Sequence, residues 1–421
     1  MSAQTLAVKL VARAAGRAAV TPGEIVTCKV DLAMMHDSGG PRRVKPMLER
    51  LGAKVWDPER VVVITDHYLP ADDDESKRII ATARDWVKDV GVRRFHDGIG
   101  ICHVVLPEQG HLRPGMFVVG GDSHSPTGGA FGAYMFGVGA TEMLGVLVTG
   151  EIWLRVPHTI LVEWDGAFGD GVSAKDVMLF LCGGFGMDGG QYQAVEYAGS
   201  AIGRLGMQER MTLANMTAEF GGQTGLVAPD EVTRAYLAAA GVADIDTATW
   251  QTDDGAELAA HHRFDASALA PQVAAPHSPA NSRGVDEYDD VRIDTAYVGA
   301  CTGAKLADLR MAARVLRGRR VASGVRLLVA PASLRDQETA RAEGTLGALV
   351  DAGGRLLANA CGACAGYGAL RFGEEEVAIS STARNFKGRM GAASSRVYLA
   401  SPYTVAAAAV TGRITDPREL L

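Results

Sequence analysis

Short apolar runs that stop abruptly at polar, glycine-bearing loops recur along the chain. Residues 61–65 (VVVIT) are almost all β-branched and end at Asp66 and His67. Residues 26–32 alternate enough for a strand and lead into MMHDSGGP, which holds His36 and Asp37. MFVVGG is again a strand, running into Asp122, Ser123, His124, Ser125 and Thr127. A buried strand that delivers polar groups at its carboxyl end is the usual site geometry of an open α/β sheet. A single histidine in such a place is more often a satisfied structural residue. Three polar clusters after three strands carry more weight than any one of them. Helices are predicted between the runs: TLAVKLVARAAGR at helical spacing, then 45–51 and 75–90. The stretch AFGAYMFGVGATEMLGVLVTGEIWL reads as one further helix with a small-residue face against a sheet.

A second unit begins with the strand TILVEWDG at Thr159, followed by the helix VSAKDVMLFLCGGFG, the run AVEYAG and a helix from Leu205. NMTAEFGGQTG then sets Asn215 and Glu219 four apart, on one face if helical, where a cap or solvated face is an equally good reading. Residues 271–284 (PQVAAPHSPANSRG), with three prolines, read as a linker. A third unit opens with IDTAYVGA into Cys301 and continues through a helix at 306–316, strands at 325–329 and 355–357, and VAI before SSTARNFKGRMG. The expected fold class is α/β, in three domains: 1–157, 158–278 and 279–421.

Composition narrows the function classes. A chain of 421 residues with 47% hydrophobic and 22% charged positions is globular rather than disordered. A formal charge of −7 argues against nucleic acid as main partner, because phosphate binding needs a basic surface. Six cysteines in so long a chain do not form a disulfide framework, which favours a reducing cytoplasm. The most apolar long run, 129–150, contains Glu142 and several glycines, unlike a membrane span. The basic N-terminus has transit-peptide character, but its apolar spacing favours an integral first helix.

The chemistry concentrates near the carboxyl end, in VGACTGAK (Cys301) and ANACGACAGYG (Cys361 and Cys364). Three cysteines in a one-plus-two pattern can hold a cubane iron–sulfur cluster by three of its irons, since thiolate is the soft ligand it needs. A missing fourth thiolate leaves one iron open as a Lewis acid. The same CxxC occurs in redox motifs and half zinc sites, and a buried cysteine is often only a small hydrophobe. Cys28, Cys102 and Cys182 are scattered and read as core. Arg384 and Arg389 share a glycine-containing loop, where two guanidinium groups suit carboxylates, although loop arginines are more often surface charge. Gly169-x-Gly171 is too weak a match to support a dinucleotide site.

The order TDH, GICHVVLPEQG, GGDSHSPTGGAFGA, NMTAEFG, CTG, CGAC, RNFKGRMG and YLASPYTVAAAAVTGRITDP resembles the aconitase superfamily over nearly the whole chain. It is nearest to large subunits of the isopropylmalate isomerase, homoaconitase and dimethylmaleate hydratase type. The resemblance implies three aconitase-like α/β/α sandwich domains with the site where they converge. It implies a [4Fe–4S] cluster on Cys301, Cys361 and Cys364, and a hydro-lyase acting on a small hydroxy di- or tricarboxylic acid. Asp66 and His67 match the family's acid pair, with His67 as proton donor. His103, Asp122, Ser123 and His124 match residues around the open iron, and Asn215 and Glu219 a pair reaching cluster and bound water. Arg384 and Arg389 match substrate-carboxylate and cluster contacts, and His36 and Asp37 fall among the substrate-side residues.

No loop resembling the family's serine-bearing swivelling-domain motif is found, so the resemblance implies a separate small subunit that completes the site, and an inactive chain without it. Gly303 stands where many relatives have asparagine, Ala383 where most have an amide, and Ala363 where proline is common. The leading expectation is an isopropylmalate-isomerase-like subunit, and these departures add a maleate- or dimethylmaleate-type hydratase of a catabolic or specialised pathway as the alternative. A mononuclear-metal hydratase and a non-catalytic RNA-binding regulator are the remaining readings.

Overall fold

In this computed structural model residues 3–367 and 370–421 are described. Strands Arg94–Asp97, Val61–Thr65, Leu32–His36, Phe117–Gly120 and Tyr134–Gly137 lie side by side in that order, all parallel. The three central strands are buried at every position, as uniformly apolar strands covered on both faces must be. A second parallel sheet orders Thr224–Leu226, Ala194–Ala198, Thr159–Asp165 and Ala260–Asp265. The third has seven strands. Arg396–Ala400, Val377–Ser380, Thr295–Val298, Arg326–Val329 and Arg355–Leu356 are parallel, and Gln272–Ala274 and Ser282–Gly284 close one edge antiparallel. Among the described residues no helix is long and apolar enough to cross a membrane.

Local signals set most element ends. Asp73 caps the helix Asp74–Val90 by accepting from the Ser76 amide, and Gly91 ends it in the left-handed conformation. The helix predicted at 45–51 starts earlier, at Pro41, because proline suits the first helical position. The helix predicted at 306–316 occupies Leu306–Leu316.

Three expectations are corrected. The strand expected at 26–32 is two strands. Ile25–Lys29 pairs antiparallel with Glu151–Arg155, and Leu32–His36 enters the first sheet. The long helix expected after Ala130 is a short helical turn ending at Phe131, then strand Tyr134–Gly137, helix Ala140–Thr149 and strand Glu151–Arg155. Gly132 and Gly150 break it at left-handed turns. The expected linker 271–284 supplies the edge strands Gln272–Ala274 and Ser282–Gly284, so residues on both sides of position 278 belong to the third sheet. Proline marks sheet edges as readily as linkers.

The sheets are stitched where the site lies. Ile101 N donates to Ala332 O at 2.8 Å, Leu334 N to Ile99 O at 2.8 Å, and Val227 N to Gly129 O at 3.0 Å. Gly129 has no alternative: a Cβ there would lie 1.8 Å from the Gly225 carbonyl oxygen. Gly129→Ala should therefore lower the unfolding free energy by about 1–3 kcal/mol, the usual cost of overpacking. Urea unfolding checks this, and an unchanged midpoint would mean the two segments do not press on each other.

Candidate active site

Loops after the strand carboxyl ends meet around one largely enclosed cavity. Cys301, Cys361 and Cys364 share its walls with His67, His103, Asp122, Ser123 and His124. Cys301 follows the strand Thr295–Val298 and Cys361 comes shortly after Arg355–Leu356. Ala300 has φ 70°, a left-handed conformation that side chains seldom adopt, in the turn leading to Cys301. Cys102 is also buried but lies by Asp66 and outside the walls.

Asp66 is a junction. Its Oδ1 lies 2.6 Å from His67 Nδ1, its Oδ2 accepts from Cys102 N at 2.7 Å, and its carbonyl accepts from Cys361 N at 2.9 Å. One buried residue thus fixes an imidazole, the helix Cys102–Glu108 and the CxxC loop. Burial opposes the His67 charge, but the Asp66 carboxylate outweighs it and raises the pKa to about 10. Asp66 is held down to about 2, the His67 charge overcoming its burial. His36 stacks on His67 with centroids 3.9 Å apart. Its Nδ1 accepts from the Ser38 and Gly39 amides, which leaves Nε2 to donate to Gly121 O at 3.0 Å. Burial and the His67 charge lower its pKa, so it sits neutral beside a cation.

Asp37 lies behind the His67 turn. Its carboxylate accepts from the Asp66, His67 and Tyr68 amides at 2.9, 3.0 and 2.7 Å, and it takes no part in the cavity walls. It shapes the turn carrying His67.

Two more imidazole–carboxylate pairs face the cavity. His103 Nε2 is 2.7 Å from Asp122 Oδ1, which also accepts from the His124 amide at 2.8 Å. The His103 charge, against burial, keeps Asp122 well below the usual carboxylate range. His124 Nε2 is 2.9 Å from Glu219 Oε1, which Arg384 Nε also contacts. Arg384 and His124 overcome burial and lower Glu219 to about 2. Arg384 Nη1 donates to Ser123 Oγ at 2.9 Å. Asn215 donates to Cys301 Sγ at 3.2 Å and to Thr127 Oγ1 at 2.8 Å. Asn215 lies in the last turn of the helix Met207–Met216 and Glu219 in the turns that follow, so both converge without one continuous helix.

Burial pushes the Cys301 thiol up to about 12. The adjoining Cys361 thiol, with the Arg389 charge assisting, holds the Cys364 thiol down against its burial. Four buried polar atoms here lack partners among the described residues: His103 Nδ1, Asn215 Oδ1, Glu219 Oε2 and Arg389 Nε. Buried polar atoms are rarely left unpaired unless a ligand completes them. Three soft donors, a shared cavity and these orphaned atoms fit a thiolate-bound cluster. The cavity opens into a cleft walled by Ser38, Arg43, Tyr367, Arg384 and Arg389. Ser38, Arg43 and Tyr367 carried no signal in the chain's pattern beyond lying near motif residues.

The aconitase family (aconitate hydratase) model matches residues 9–290 and 282–412. The chain belongs to the aconitase family. Membership implies iron–sulfur chemistry in general terms. Among its relatives, the 3-isopropylmalate dehydratase large subunit 1 of Methanopyrus kandleri is 43% identical, over 99% of this chain and 100% of that one. The probable 3-isopropylmalate dehydratase large subunit of Methanothermobacter thermautotrophicus is 42% identical, over 99% of each. The 3-isopropylmalate dehydratase large subunit of Moorella thermoacetica is 41% identical, again over 99% of each.

The His67–Asp66 pair has a pH signature. A raised histidine pKa adds stability that is full below the unfolded value of 6.5 and is lost as pH rises through about 10. Nitrogen NMR of the imidazoles should show His67 protonated at pH 8, and Asp66→Asn should bring its titration down. Deprotonation of His67 near 6.5 in the parent protein would contradict the pairing.

Proposed function

We propose that the chain is the cluster-bearing large subunit of a [4Fe–4S] hydro-lyase that removes water from, or adds it to, a 3-isopropylmalate-type hydroxy acid. The observation carrying this is the set of three thiols in one cavity, ringed by three imidazole–carboxylate pairs. Cys301, Cys361 and Cys364 are the residues to hold the cluster. When bound, it supplies an open Lewis-acidic iron that polarises the substrate hydroxyl.

The chain's own groups supply the rest. Arg384 and Arg389 line the cleft and offer guanidinium groups for the substrate carboxylates. His67, charged through Asp66, donates a proton to the departing hydroxyl oxygen, so that water leaves. His103 and His124, oriented by Asp122 and Glu219, hold that water by hydrogen bonds. The other proton comes from the carbon beside a carboxylate and needs a base. The large-subunit names of the relatives support a separate small subunit as its source.

A second reading, an alkylmaleate or dimethylmaleate hydratase, is favoured by Ala383. It is buried in the cavity wall, at a position where the family resemblance implies an amide. Gly303 is set by packing, since a Cβ there would lie 2.2 Å from Ser381 Oγ.

Anaerobic reconstitution should give a brown protein absorbing at roughly 400 nm, and Cys301→Ser should lose that colour. With a co-expressed small subunit, isopropylmalate should turn over and His67→Asn should cut kcat by about 10²–10⁴-fold, the usual worth of a general acid. Dimethylmalate and citramalate in the same assay decide between the two substrates. A colourless parent, or full activity in His67→Asn, sinks the proposal.

A further inference from the structure

Lys175 is placed against two physical preferences at once. It lies in the first turn of the helix Ala174–Phe185, where the dipole disfavours a cation, and it is only 1% exposed. Burying an ammonium is costly unless an anion balances it. Its hydrogen-bond partners are neutral: Ser381 O at 2.9 Å, Thr382 O, and Thr302 Oγ1 at 3.4 Å. Nearby carboxylates are already committed. Asp308 pairs with Lys305 at 2.6 Å, Glu219 through its Oε1 with Arg384 and His124, and Asp176 accepts from Ser173 and Gln272 amides. Lys305, which donates to the Cys301 carbonyl at 2.9 Å, is thus neutralised by Asp308, and Lys175 is left over.

Both loops that Lys175 ties together border the cavity. Thr302 is next to Cys301, and residues 381–382 lead to Ala383 and Arg384. Burial pulls its pKa down to about 8, while Glu219 and then Cys364 favour its charge. Three thiolates around a dicationic cluster leave a net negative charge, the anion that this cation lacks.

We propose that Lys175 is the buried counter-cation of the cluster, a positioning residue that joins the Cys301 and Arg384 loops and sets the cluster's retention and reduction potential. The inference rests on the cluster assignment of the preceding subsection. Removing a positive charge beside a cluster makes it harder to reduce. Removing an unbalanced buried cation from the cluster-free protein relieves a cost.

The full chain carrying Lys175→Gln or Lys175→Arg is reconstituted anaerobically, and three readouts are taken: reduction potential, rate of cluster loss in air, and melting temperature with and without cluster. Lys175→Gln should have a more negative potential and lose its cluster several-fold faster. Its cluster-free form should melt no lower than the parent. Lys175→Arg should stay near the parent potential. A parent potential in Lys175→Gln overturns the inference. So does an equal melting loss with and without cluster, or a cluster-free Lys175→Gln chain that fails to fold, because the residue is then only a structural tie. A parent chain that takes up no cluster defeats the cluster assignment itself, whereas a loaded parent with indifferent variants defeats this inference alone.

Discussion

Buried carboxylates need partners, and meeting that need fixes the active-site imidazoles. Asp37, Asp66 and Glu219 are fully buried, and Asp122 is tied to His103 and to a backbone amide. A carboxylate out of water is tolerated only with donors around it. Asp37 takes three backbone amides, which sets the turn at 66–68. Asp66 then takes one amide and the His67 ring, and Glu219 takes His124 and Arg384. The orientations of His67, His103 and His124 follow from satisfying an acid behind each.

The same contacts hold the three sheets in register at the cavity. The backbone bond from Cys361 to Asp66 joins the third sheet's loop to the first sheet, and that from Ile101 to Ala332 joins them again. Lys175 brings the second unit into contact with the third. Cavity-lining groups from separate sheets are thereby placed without one element carrying the whole site. Relative motion of the sheets would separate acid from thiols, so the rigidity of these junctions bears directly on the chemistry.

Much of the fold was legible in the chain. The run at 61–65 and the helix at 306–316 carry strong local signals, one β-branched and continuous, the other amphipathic and bounded, and both appear where expected. The failures share a cause. Apolar stretches rich in glycine, such as 129–154, suit helix and strand alike, and only the left-handed turns at Gly132 and Gly150 decide between them. Residues 271–284 look like a linker because proline and polar residues also suit an antiparallel edge.

The chain alone determined which chemical groups are present and where strands end, since β-branched runs and the glycine and cysteine spacing are local properties. It also carried the family through motifs spread over its whole length. Tertiary structure decided which groups meet. Asp37 and His36 are neighbours in sequence, yet one supports a turn while the other lines the cleft. Lys175, unremarked within an apolar helix pattern, ends beneath the loops of Cys301 and Arg384. No local periodicity encodes such pairings. They arise when separate sheets pack and each buried charge must find its partner from whatever the other sheets bring to the same place.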